Sequence, residues 1–228
     1  MAIGKINALE FDKKLEAGKL ILSLIGMSNV GKSYWSSHLA KEAGFKVIDC
    51  DRLIAKKIGA DLGDFQTSAS MANWLGQPED PQYTRNQQKY LDLEIEIMTD
   101  IISQLESDAL EGNTVIDTTG SIIHTNIELC RRLGILSTVV YLEAKPDLYP
   151  QMLRRFLERR KPVIWGNSFK RKHDESSEKA LERCYPILLQ TRGVLYAEMS
   201  HVVMPGIKER PTLNASDFLN EIRSHLPA

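Results

Sequence analysis

Apolar residues occur in short runs that alternate with longer segments in which they recur every three or four positions. The short runs predict five buried strands, at residues 20–25, 45–48, 114–116, 137–142 and 202–204. The helical spacing predicts helices at residues 33–42, 84–109, 121–133, 146–160, 177–199 and 215–224. Strands that alternate with helices indicate an α/β fold, in which a five-stranded parallel sheet carries helices on both faces.

Three segments do not fit this alternation. Residues 59–81 contain glycines and prolines with weak periodicity and predict a loop with short helical pieces. A polar stretch from about 161 to 178 separates two helices, and we interpret it as a lid inserted in one domain of residues 18–228 rather than as an interdomain linker. Residues 1–17 are predicted to be an N-terminal extension.

The composition is that of an ordinary globular protein, with 228 residues of which 43% are hydrophobic. The 29 basic and 30 acidic residues leave a net charge of -1, so we expect neither a nucleic-acid nor a membrane partner, and the oligomeric state is left open. The start of the chain lacks the apolar segment of a signal peptide, and no apolar run approaches the roughly 18 residues that span a bilayer. The three cysteines lack metal-ligand spacing, so we expect reduced thiols and a cytoplasmic protein.

A phosphate-binding motif follows the first predicted strand directly. Residues 26–33 read GMSNVGKS and match the pattern GxxxxGK[ST] at every fixed position. The motif requires a strand before it and a helix after it, because backbone N–H groups and the helix N-terminus then surround the phosphates. We expect Lys32 to reach the β- and γ-phosphates of ATP and Ser33 to bind Mg²⁺. The remaining phosphate contacts are expected from Gly26, Ser28, Asn29, Val30 and Gly31.

Acidic residues follow the second and third predicted strands. Asp49 and Asp51 flank Cys50, and Asp117 follows residues 114–116. Because the carboxyl ends of parallel strands lie at one edge of the sheet, these acids are expected beside the phosphate-binding loop. We expect Asp49 and Asp117 to hold Mg²⁺, directly or through water, and Asp51 to contact an acceptor hydroxyl. Each acid is also a suitable N-cap for the helix that follows it, and the sequence leaves both interpretations open.

Several further segments, together with the phosphate-binding loop, resemble the shikimate kinase family between about residues 20 and 204. In chain order they are DCD at 49–51, YTRNQQ at 83–88, VVYL at 139–142 with Asp147 and Arg154 after it, RKPVI at 160–164 and RGVLY at 192–196. The resemblance implies a P-loop kinase fold with ATP and Mg²⁺ as cofactors, and transfer of the γ-phosphoryl group to a hydroxyl of a small anionic acceptor.

The resemblance also implies roles for individual residues. Asp51 would orient or deprotonate the acceptor hydroxyl, and a lid cation, Arg160 or Lys161, would stabilise the transferring phosphoryl group. Arg85 and Arg192 would bind an anionic group of the acceptor. These assignments place catalysis at the junction of the phosphate-binding loop and the lid.

The sequence departs from the family pattern in the acceptor wall and in the lid. The family's glycine triplet after the third strand is replaced by Thr119-Gly120-Ser121, of which only Gly120 is retained. Thr119 and Gly120 stay candidate acceptor-binding residues, but the added side chains reshape this wall, so we expect shikimate itself to be a poor acceptor. Lys161 stands where the family has an arginine, and an ammonium group does not reproduce a bidentate guanidinium.

Two other functions stay open at this point. One is a nucleotide or nucleic-acid-end kinase, which would phosphorylate nucleoside, nucleotide or oligonucleotide hydroxyls. The other is a nucleotide-binding regulatory module without catalysis, which the altered glycine segment favours and the presence of Lys32, Ser33 and Asp51 opposes.

The basic residues between 154 and 161 are typical of a solvated helix face, with only the last two placed for a lid. Trp165 and Tyr185 either flank the pocket or belong to the core.

Overall fold

A computed structural model describes residues 4–62, 67–206 and 213–228. The predicted five-stranded parallel sheet is confirmed, with strands β1 (Ile21–Ile25), β2 (Lys46–Asp49), β3 (Thr114–Asp117), β4 (Thr138–Glu143) and β5 (Val202–Pro205). The strand order β2-β3-β1-β4-β5 places β1 at the centre. Consecutive residues of β3 and β4 are buried, as expected for strands covered on both faces.

The helices are α1 (Ala8–Glu16), α2 (Lys32–Ala43), α3 (Cys50–Ile58), α4 (Ser68–Leu75), α5 (Tyr83–Glu106), α6 (Ile127–Leu136), α7 (Tyr149–Glu158), α8 (Ser177–Met199) and α9 (Ala215–Ser224). Short 3-10 turns precede or follow them at 59–62, 122–124 and 146–148. The segment 59–81 therefore contains short helical pieces, as predicted, apart from residues 63–66, which lie outside the described ranges.

Three predicted helix boundaries were wrong. The helix expected from residue 121 begins at Ile127, because Asn126 caps it and the Ser121 side chain makes its hydrogen bonds elsewhere. The helix expected at 146–160 starts as a 3-10 turn and is α-helical only at 149–158. The helix expected to end near Ala109 ends at Glu106.

The N-terminal segment packs onto the C-terminal helix. Phe11 of α1 is fully buried in the main hydrophobic core, and Asp12 accepts a hydrogen bond from Arg223 of α9 at 2.7 Å. The backbone N–H of Ala8 donates to the carbonyl of Pro227 at 2.8 Å. The described part of the predicted extension, residues 4–17, thus contributes to the same core as the rest of the chain.

The root of the polar insert is buried. Val163, Ile164 and Trp165 are each at most 5% exposed, and the Trp165 ring contacts the rings of Phe156 and Tyr185. Trp165 and Tyr185 therefore belong to the core. Within the described ranges, no helix has both the length and the apolar character needed to cross a bilayer.

Candidate active site

The turn between β1 and α2 has the backbone that a phosphate-binding loop requires. Gly26 has φ +135°, and a Cβ atom there would lie 2.7 Å from the carbonyl oxygen of Leu142. Gly31 also has a positive φ, of 107°, and forms the N-cap of α2 without a side-chain bond. Asn29, between them, has φ 71°. The first N–H groups of α2 thus point at this turn and are available to an anion.

Lys32 is held beneath the loop. Its side chain is buried, and Nζ donates hydrogen bonds to the carbonyls of Gly26 at 2.9 Å and Met27 at 3.2 Å. Burial lowers the pKa of Lys32, while the nearby carboxylates of Asp117 and Asp51 act in the opposite direction. The ammonium group is therefore fixed at the loop, where phosphate oxygens would compensate its desolvation.

The two predicted metal-binding acids lie side by side. Asp49 and Asp117 are register partners at the ends of β2 and β3, and Asp117 also interacts with the hydroxyl of Ser33. Burial raises the pKa of Asp117, and Lys32 opposes this shift. Asp49 caps α3 by accepting from the N–H of Arg52 through Oδ1 at 2.9 Å. Asp117 caps neither the 3-10 turn nor the helix that follows it.

The donor set of these residues suits Mg²⁺, because carboxylate and hydroxyl oxygens are the ligands that a hard cation prefers. Among the described residues, no group of three or more His, Cys, Asp or Glu side chains is arranged to hold a metal ion. A Mg²⁺ site at this edge would therefore combine Asp49, Asp117 and the Ser33 hydroxyl with oxygens of the nucleotide and water. Such a mixed set is how Mg²⁺ is commonly bound beside nucleotide phosphates.

A groove of about 290 Å³ extends outward from the loop, and we call it the phosphate groove. Its lining includes two cations besides Lys32, Arg155 of α7 and Lys161 of the lid. Lys161 donates a hydrogen bond to the hydroxyl of Ser68 at 3.1 Å, so the lid root reaches α4 across the groove. Arg160 instead lines a neighbouring surface groove. The remaining lining residues of the phosphate groove are Ser28, Asn29, Gly31, Lys32, Ser33, Tyr34, Asp51, Ser68 and Pro162.

A second cavity, of about 10 Å³, lies on the inner side of the loop, and we call it the inner pocket. Its lining residues are Met27, Ser28, Asp51, Tyr90, Gly120, Ser121, Pro162, Val163, Ile164 and Arg192. Asp51 lines both the inner pocket and the phosphate groove. Its carboxylate accepts a hydrogen bond from the hydroxyl of Tyr90 at 2.9 Å. Asp51 is exposed to solvent on one side. The protein atoms packed around its carboxyl group nevertheless raise the pKa of Asp51, and the positive charge of Lys32 opposes this shift.

The two predicted acceptor-binding arginines have different surroundings. Arg192 is 2% exposed and lines the inner pocket. Its guanidinium donates to the carbonyl of Gly120 at 2.6 Å and to the carbonyl of Ile164, while Nε has no partner. Arg85 is exposed on α5, and its Nε donates to Asn86 at 3.2 Å. The structure thus brings Arg192 and Gly120 together with Asp51, and it does not bring Arg85 to this pocket.

Sequence reasoning missed Glu94, a buried carboxyl of α5 that is 1% exposed. It accepts hydrogen bonds from the hydroxyl of Ser121 at 2.6 Å and from the hydroxyl of Thr119. Burial raises the pKa of Glu94 to about 7. The available signal was its position, because an acid four residues before Met98 lies on the apolar stripe of the helix. The residues that replace the glycine triplet are therefore the partners of a buried acid.

The raised pKa of Glu94 predicts a pH-dependent stability. The folded protein binds this proton more tightly than the unfolded chain, whose glutamate pKa is near 4.5, so stability is lost as the pH rises from about 4.5 to about 7. Between about pH 5 and pH 8 this amounts to roughly 2 to 3 kcal/mol. Denaturant unfolding should show Glu94→Gln lacking this loss. Glu96→Gln, an exposed control on the same helix, should keep it, and identical pH dependence in all three proteins would contradict the assignment.

Comparison with known proteins finds a curated protein of similar sequence. The chain is 26% identical over 188 residues to a shikimate kinase of Aeromonas salmonicida, covering 82% of this chain and 88% of that protein. No family model matches the sequence.

Solved structures of shikimate kinases have the same fold as this chain. The shikimate kinase of Acinetobacter baumannii, in complex with shikimate, superimposes with a TM-score of 0.59 at 20% identity, covering 91% of this chain and 93% of that one. The shikimate kinase of Aquifex aeolicus gives a TM-score of 0.52 at 19% identity, covering 90% and 95%. The solved structures share the P-loop kinase fold with this chain, and the shikimate kinase of Aeromonas salmonicida is similar to it in sequence over most of its length.

Proposed function

We propose that the protein transfers the γ-phosphoryl group of MgATP to a hydroxyl of a small molecule. The observation that carries the proposal is the position of Asp51, which lines both the phosphate groove and the inner pocket. A carboxylate at this junction contacts an acceptor hydroxyl on one side and faces the transferring group on the other. The inner pocket, of about 10 Å³, has room for about one water molecule, so it would have to open to admit an acceptor.

The charges around the phosphate groove fit this reaction. Phosphoryl transfer depends on positioning and on neutralising charge rather than on covalent chemistry by the protein. Lys32, Lys161 and Arg155 would surround the phosphate oxygens. Asp49, Asp117 and Ser33 would hold Mg²⁺, which neutralises charge on the β- and γ-phosphates when bound. Asp51 would accept the hydroxyl proton as the bond to phosphorus forms.

We also propose a cytoplasmic location, supported by the three cysteines, which are all unpaired and buried.

The identity of the acceptor is addressed by screening. Purified protein with MgATP is offered shikimate, other hydroxy acids, sugars and nucleosides, and ADP release is followed for each. Acceptor-dependent ADP release supports the proposal, whereas ATP binding without ADP release across the whole panel would favour the regulatory module.

Arg155 provides a prediction specific to the phosphate groove. Because Arg155 lines the groove and its neighbour Arg154 does not, Arg155→Ala should lower kcat/KM for ATP by about tenfold or more through loss of one phosphate-facing cation. Arg154→Ala, a matched exposed change on the same helix, should stay within about twofold of the unchanged protein. Steady-state kinetics at varied ATP concentrations give kcat/KM for both variants. Equal effects of the two changes would contradict the placement of Arg155 at the nucleotide site.

A further inference from the structure

One face of α5 supports both walls of the inner pocket. Tyr90 and Glu94 are four residues apart and therefore neighbours on the same helix face. Tyr90 donates to the carboxylate of Asp51 at 2.9 Å. Glu94 accepts from the hydroxyl of Ser121, which lines the pocket, and from that of Thr119, which does not. The helix thus contacts both the proposed base and the hydroxyls on either side of Gly120.

Gly120, between the two hydroxyl residues, anchors the buried arginine. Its carbonyl oxygen accepts from Arg192 at 2.6 Å and from the hydroxyl of Tyr196 at 2.5 Å. An added Cβ on Gly120 would lie 3.5 Å from the Arg192 guanidinium, so the loop and the arginine are in close contact. A shift of residues 119–121 would therefore move the anchor of Arg192, the one cation that lines the inner pocket among the described residues.

The start of the same loop is fixed independently of Glu94. The backbone N–H and the hydroxyl of Thr118 both donate to the carbonyl of Leu24 in β1, at 3.3 and 2.8 Å. Asp117, a proposed Mg²⁺ ligand, directly precedes Thr118 and is paired in the sheet with Asp49, the other proposed acidic ligand. Loss of the Glu94 contacts should therefore displace residues 119–121 and leave Asp117 and Thr118 in place.

We propose that Glu94 is a positioning residue for acceptor binding. Through the hydroxyls of Thr119 and Ser121 it fixes the loop that anchors Arg192, and it touches neither acceptor nor nucleotide itself. The inference rests on the proposed kinase function. A buried supporting contact of this kind acts on geometry, and small displacements of a binding group reduce affinity for the ligand that it contacts.

The test compares two substitutions of Thr119 that differ in one hydroxyl. Thr119, an acceptor-binding candidate from its sequence position, does not line the inner pocket, whereas Gly120 does. An effect of Thr119 on the acceptor would therefore pass through the loop. Thr119→Val keeps the shape and removes the hydroxyl, and should raise the acceptor KM by about tenfold with kcat and the ATP KM within about threefold. Thr119→Ser restores the hydroxyl and should stay within about twofold of the unchanged protein. The acceptor used is the compound with the highest kcat/KM in the screen.

Glu94→Gln is the second variant, and it keeps an oxygen that can accept one of the two hydroxyls. It should raise the acceptor KM by about threefold or more, again without a matching change in the ATP KM. An unchanged acceptor KM in folded Thr119→Val and Glu94→Gln proteins would overturn the inference, as would parallel rises in both KM values. If the unchanged protein phosphorylates no acceptor, the proposed function itself fails, and the inference fails with it.

Discussion

Lys32→Ala should abolish measurable turnover, lowering kcat/KM by about 10³-fold or more. The side chain is the cation that the phosphate-binding loop itself supplies, and its Nζ is already held at the loop by two backbone carbonyls. Alanine leaves the loop backbone in place but removes the charge that would face the β- and γ-phosphates. ATP binding should weaken as well, which titration calorimetry measures directly.

The matched control is Lys41→Ala, which removes an exposed lysine near the end of the same helix. It should leave both turnover and ATP affinity unchanged, because the side chain is far along the helix from the loop. Melting temperatures of the two variants show whether either change disturbs the fold. Full turnover in a folded Lys32→Ala protein would contradict the assignment of the loop.

Asp51→Asn should separate chemistry from nucleotide binding. The substitution is nearly isosteric and its side-chain oxygen can still accept from Tyr90, but it cannot take a proton from the acceptor. We expect kcat to fall by about 10²-fold or more, with ATP affinity changed by no more than a few-fold. Asp61→Asn, which alters an exposed acid paired with Lys89, should leave kcat unchanged.

The opposite pattern would reassign the residue. If Asp51→Asn weakens MgATP binding strongly while kcat survives, Asp51 belongs to the metal site. In that event Asp49, which also has a structural role as the cap of α3, becomes the alternative base. Kinetics at several Mg²⁺ concentrations distinguish these two outcomes, because only a metal ligand changes the Mg²⁺ requirement.

Local signals explain which parts of the fold could be predicted from the sequence. Helices α8 and α9 match their predicted bounds because each begins at a side-chain cap, Ser176 and Asn214, directly before a periodic segment. The sheet follows from apolar runs that are buried on both faces. The start of α6 was mispredicted because the Ser121 hydroxyl bonds to Glu94, 27 residues away, and no local pattern contains that contact.

The site shows the same division. The phosphate-binding loop was predictable because its function requires a contiguous motif between a strand and a helix. The cations of α7 and the lid that line the phosphate groove could not be predicted from a motif. Whether Arg154 or Arg155, and Arg160 or Lys161, lines the groove depends on the rotation of α7 and on the path of the lid backbone. Likewise, Arg85 matched a motif in sequence, but α5 turns it to solvent and presents Tyr90 to Asp51 instead.

The most direct measurement is to follow the γ-phosphoryl group of ATP by ³¹P NMR in the presence of Mg²⁺ and the best acceptor of the screen. The proposed function predicts equal amounts of ADP and of a phosphate ester of the acceptor, both absent with the Lys32→Ala protein. ADP that appears only with inorganic phosphate, or ATP that stays intact in the presence of every acceptor, would contradict it.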